Sequence, residues 1–130
     1  MHRLFSILLI LLTTACMDNQ TYYHYADGSA NVYVLTSDSL EYIPVRPEES
    51  STGFYSGGVP KKVALTPRQF RHVRAMFESA KTKHDIHLPD RIKTSGVITT
   101  FSGTEKNSII LKPGSEQLVE IEKQLKKLLE

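Results

Sequence analysis

The chain has 130 residues, a formal net charge of +2 and one cysteine, with 40% hydrophobic and 23% charged residues. That length supports one small domain, and the near-neutral balance gives no electrostatic footprint for nucleic acid. A lone cysteine excludes an internal disulfide, so the fold must stand on packing.

Met1, His2 and Arg3 form a short basic start. An apolar run from Leu4 to Leu12 follows, too short to span a bilayer comfortably, and then Thr13-Thr14-Ala15-Cys16. This order reads as a secretory signal. The last four residues resemble the lipobox of bacterial lipoproteins, in which the cysteine thiol is acylated and becomes the new N-terminus. Ala15 and Thr14 fit that pattern, while Thr13 stands where it carries Leu, Val or Ile. The resemblance covers only these sixteen residues. It implies a signal peptide at 1–15, a lipid on Cys16 and a place in the bacterial cell envelope. Met17 after the cysteine, instead of Asp, implies outer-membrane sorting over inner-membrane retention. The alternative is an ordinary signal peptide cleaved near Ala15, with Cys16 a free thiol. A signal anchor left uncleaved is the weaker third reading.

Residues 16–29 are polar and turn-rich after the cysteine and read as a lipidated tether. Tyr22, Tyr23 and Tyr25 are denser in aromatics than a tether needs, which suggests docking on the domain or lying at the membrane interface. The domain itself is expected at 30–130.

Asn31 to Thr36 is β-branched and aromatic and predicts a strand. Leu40 to Val45 predicts the returning strand, at an edge or ending at Pro44, because proline cannot donate to a ladder. Residues 46–60 carry three glycines and two prolines without a period. Loops this long in a compact domain are usually functional or disordered. Lys61 to Leu65 predicts a short strand.

Thr66-Pro67-Arg68-Gln69 is a helix start with a capping box and proline at the first position. Phe70, Val73, Phe77 and Ala80, with Met76 beside them, give one apolar stripe. The helix should stop before Pro89. Lys93 to Phe101 and Asn107 to Lys112 predict a second hairpin. Pro113-Gly114-Ser115 breaks it and caps a final helix with Leu118, Ile121, Leu125 and Leu128 as its stripe. Its glutamates fall early and its lysines late, which complements the helix macrodipole. The expected fold is therefore α+β in two layers. An antiparallel sheet of four or five strands, built from two hairpins, carries both helices on one face.

Chemistry-bearing residues are sparse. His84 and His87 with Asp90 have the spacing of a weak metal site, but histidines at a helix end also satisfy its carbonyls. Ser56 in the glycine-rich loop fits neither a nucleophile elbow nor a phosphate loop. Phe54 and Tyr55, hinged by Gly57 and Gly58, read instead as aromatic anchors of a recognition loop. The sequence thus predicts a membrane-anchored envelope protein with a non-catalytic domain that binds protein or envelope polymer, needing no cofactor or metal. The alternative is a small envelope hydrolase using Ser56 or His72.

Overall fold

The computed structural model describes residues 20–130. The signal segment expected at 1–15 and Cys16, the expected site of the lipid, lie outside the described residues.

The elements are β1 (Tyr22–Ala26), β2 (Val32–Leu35), β3 (Ser39–Ile43), β4 (Lys61–Ala64), α1 (Pro67–Thr82), β5 (His87–Leu88), β6 (Gly96–Ser102), β7 (Glu105–Leu111) and α2 (Glu116–Leu128). They form an α+β fold with one antiparallel sheet in the order β4-β3-β2-β1-β6-β7-β5. The class agrees with expectation, but the strands number seven. Two of them, β1 and β5, were not foreseen.

β1 puts a strand over Tyr22–Ala26 in place of the tether expected at 16–29, and sets ordered sheet before the expected domain start at residue 30. Tyr22–Ala26 is the central strand, paired with β2 on one side and β6 on the other. Its burial alternates, with Tyr23 and Tyr25 inaccessible and Tyr22 and His24 on the opposite face. The aromatic density that was too high for a tether is the β propensity of a core strand. β5 has only two residues, too few for any periodic signal. β3 ends before Pro44 as expected. It is an internal strand, however, because β4 covers its far side.

Both helices lie on one face. Side chains two apart on a strand share a face, so Tyr23 and Tyr25 point the same way. The Tyr23 hydroxyl donates to Glu78 of α1 at 2.6 Å, and the Tyr25 hydroxyl to Glu122 of α2 at 2.8 Å. Around these bonds Leu35, Leu40, Ile98 and Leu111 of the sheet meet Val73, Phe77, Ala80, Leu118, Ile121 and Leu125 of the helices. Both predicted stripes are thus buried, with Phe70, Met76 and Leu128 half-buried at their margins. Gly96 sits beneath Tyr25, where a Cβ would come within 2.6 Å of the phenolic oxygen and 3.0 Å of Leu118.

α1 starts as its sequence dictates. Thr66 accepts from the Gln69 backbone at 3.1 Å and Gln69 answers to the Thr66 backbone at 2.9 Å. Ser115 stands at the N-cap of α2, but its hydroxyl is buried and makes no cap hydrogen bond. Among the described residues no helix is long and apolar enough to cross a membrane.

The buried phenols make the fold sensitive to alkali. Burial, and then the bond to Glu78, push Tyr23 up to about 12 from 10.0. Burial is also the first cause raising Tyr25 and Tyr33. Burial pushes Glu78 up too, but the Tyr23 and Lys81 hydrogen bonds and the Lys81 and Arg74 charges outweigh it and hold its carboxyl below the usual range. A raised pKa contributes stability that is complete below the unfolded value and is lost as pH rises through the folded one. For Tyr23 that window runs from pH 10 to about 12. Tyrosinate absorbance from the buried phenols is therefore expected to appear together with loss of near-UV ellipticity above pH 10. Absorbance reaching that of all six tyrosines while the ellipticity stays intact would place these phenols in contact with solvent.

Candidate functional site

The loop at 46–60 is ordered by hydrogen bonds to itself and to the sheet. A short 3-10 turn, Pro47–Glu49, opens it. The Arg46 guanidinium lies 2.8 Å from Glu49 and holds that exposed carboxyl below its ordinary range. The Ser50 hydroxyl donates to the Pro47 carbonyl at 2.9 Å and accepts from the Tyr55 backbone at 3.3 Å. Gly53 takes a positive φ of 75° to make this turn.

Asn31 fixes the loop to the fold. Its side-chain amide donates to the Asp27 carboxylate at 3.0 Å and to the Tyr55 hydroxyl at 3.1 Å. Its carbonyl oxygen accepts from the Val45 backbone at 2.9 Å. One side chain, only 4% exposed, therefore ties together the β1–β2 turn, the end of β3 and the loop. Asp27 shapes that turn by accepting from the backbones of Ser29 and Asn31 at 2.9 and 3.0 Å. Sequence reasoning missed Asn31. The only signal was an Asp-Gly-Ser-Ala-Asn run, which reads simply as a turn.

The loop residues divide by role. Phe54 is 89% exposed at the tip, whereas Tyr55 is 40% exposed and bonded through its hydroxyl. Gly57 donates to the Val45 carbonyl at 2.9 Å and accepts from the Tyr42 hydroxyl. A Cβ on Gly57 would run into the Asn31 side chain and Pro44, so this glycine seats the loop. Gly58 has a positive φ of 104° with open space around it. Of the four residues expected to face a partner, Phe54 alone projects fully. Tyr55 and Gly57 hold the loop that presents it.

Between the loop and the β1–β2 turn lies a cleft of about 740 Å³. Ser29, Glu49, Ser50, Thr52, Tyr55 and Lys93 line it, giving hydroxyls, one aromatic ring and one charge of each sign.

The other candidates stand apart from the loop. His84 and His87 meet edge-on with ring centroids 5.3 Å apart. His87 Nε2 donates to the Ala80 carbonyl at 2.7 Å and so closes the end of α1. Asp90 is exposed, and among the described residues no group of three His, Cys, Asp or Glu side chains could hold a metal. His72 lies on α1 beside Glu116 and Glu120 of α2, in a cleft between the helices. The Ser56 hydroxyl accepts from the Gly58 backbone within the loop.

Comparison with models of known protein families, with characterised proteins and with solved structures gives no match.

Proposed function

We propose that this is a lipid-anchored protein of the bacterial cell envelope, held through Cys16 in the outer membrane, whose domain binds a protein or an envelope polymer without catalysis. The observation that carries the binding reading is Phe54, 89% exposed on a loop otherwise pinned by Asn31, Ser50 and Tyr42. An aromatic ring held in water by an ordered loop contributes nothing to the core. Rigid aromatic anchors of this kind dominate binding energy when a partner covers them. The placement fits an anchor as well. Chain from Cys16 would enter β1 at Tyr22, while Asn31 and the loop sit beyond the opposite end of that strand. The hydrolase alternative needs Ser56 or His72 to join a base or an orienting group. Ser56 is engaged within its own loop, and His72 lies in a separate cleft between the helices beside Glu116 and Glu120, so nucleophile and histidine are not brought together.

Two variants test this reading together. Cys16→Ser should move the protein from the detergent phase to the aqueous phase. Phe54→Ser should keep the melting temperature and lower capture of envelope material at least about tenfold, the scale of one interface hot spot. Equal capture by wild type and Phe54→Ser would remove the loop from the binding surface.

A further inference from the structure

β5 covers only part of the outer side of β7. The two strands pair at Leu111 and Ile110 alone, and among the described residues no other strand lies along that side. Main-chain groups alternate between the two sides of a strand. The Lys112 N–H donates away from β6, to the Ile86 carbonyl at 2.8 Å. By the same alternation the N–H and C=O groups of Ser108 and Lys106 point outward, while those of Glu105, Asn107 and Ile109 turn to β6. An edge with outward groups of this kind is a template for another strand.

A cavity of about 490 Å³ lies beside this open stretch. Asn107 and Ile109 share the face of Leu111, which is in the core, so the cavity is on the helix side of the sheet. Thr100 sits opposite Asn107 on β6 and extends the floor. Lys81 in the last turn of α1, with His84 and His87 after it, forms the wall.

Two features of the lining point to an occupant. Thr100 is 8% exposed, yet its hydroxyl has no hydrogen-bond partner, which is uncommon for a buried polar group. The Lys81 side chain is 23% exposed and gives one of its three N–H groups to Glu78 at 3.3 Å. Glu105, the only carboxylate in the lining, is exposed at the turn between β6 and β7. A charge withdrawn from water is screened less, so Lys81 outweighs Glu105 and the cavity favours a carboxylate.

We infer that the open edge of β7 binds an extended segment of a partner protein, which runs antiparallel to Glu105–Ile109 and sets an acidic side chain, opposite Asn107, in the cavity. Main-chain bonds to Lys106 and Ser108 give the hold, and the cavity gives the selectivity. A second copy of the chain fits the edge less well. Two-fold pairing centred on Lys106 sets two lysines opposite each other, which is destabilising. Pairing centred on Asn107 brings no carboxylate to the cavity, and pairing centred on Ser108 runs into β5. The site lies at the Tyr22 end of β1, where Thr21 hydrogen-bonds Ser102, whereas Asn31 and the loop lie at the Ala26 end. Its failure would therefore leave the loop reading untouched.

The probe is the capped peptide Thr-Val-Thr-Glu-Thr-Val-Thr, which presents its valines and glutamate on one face of a strand. Added at millimolar concentration, it should slow amide exchange of Lys106 and Ser108 several-fold, while Asn107, bonded to β6, is protected throughout. A lysine in place of the glutamate should weaken binding several-fold. Methylating the nitrogens of the two threonines beside the glutamate should abolish it. Ser108→Pro removes an outward donor and spares the β6 ladder, so it should hold the melting temperature and lose the peptide. Should that variant misfold, the methylated peptide tests the same bonds from the other side. Exchange at Lys106 and Ser108 that the peptide does not move would overturn the inference. Equal binding of the glutamate and lysine peptides would overturn the acidic occupant. Slow exchange of both amides without peptide, at doubled mass, would give the edge to a second copy and overturn the partner.

Discussion

A chain beginning at Ala30 should fail to fold, whereas one beginning at Gln20 should melt in a single cooperative transition. The difference is β1. It pairs with four residues of β2 and five of β6, so its loss splits the sheet and exposes two long edges. It also removes Tyr23 and Tyr25, both inaccessible to solvent. Two buried tyrosines at about 150–250 Å² each, and about 25 cal/mol per Å², represent roughly 7–12 kcal/mol. That is comparable with the whole net stability of a small domain, about 5–15 kcal/mol. Glu78 and Glu122 would lose their phenolic donors in the same step. Circular dichroism and amide spectra of the two chains decide the matter. A cooperative melt from the chain beginning at Ala30 would show that the sheet closes without its central strand.

Phe77→Ala should cost about 3–5 kcal/mol, the range for truncating a buried phenylalanine. Phe77 is 1% exposed, and its ring centroid lies 5.3 Å from that of Tyr23 and 6.3 Å from that of Tyr25. It packs between α1 and the central strand. For a domain near one hundred residues this loss lowers Tm by more than about 10 °C. Phe54→Ser gives the contrast, because a surface change of that kind stays within about 0.5 kcal/mol. Thermal melts of both variants would locate the core. Equal melting temperatures would put Phe77 outside it.

Local chemistry was legible in the sequence. Thr66, Pro67 and Gln69 define the start of α1 through contacts within four residues. The stripes of α1 and α2 are legible because helical period maps directly onto a buried face. The β2–β3 and β6–β7 pairs are close in sequence, and short turns join them. The loop at 46–60 stood out by its glycines and prolines, and Phe54 at its tip is exposed.

Only the tertiary structure decided the rest, because the deciding partners are far apart in the chain. Tyr23 pairs with Thr100, and its hydroxyl reaches Glu78. No local pattern separates such a strand from an aromatic tether, since five residues with three tyrosines satisfy both readings until a partner is present. β5 exists only because β7 offers an edge to His87 and Leu88. Asn31 looks like a turn residue until Tyr55 and Val45 arrive to use its amide, and Tyr55 looks like a free anchor until Asn31 holds it. Sequence alone determined which segments become helix, hairpin or exceptional loop, because those choices depend on near neighbours. Pairing determined the central strand and the division of labour within the loop, because each depends on hydrogen-bond partners that only folding brings together.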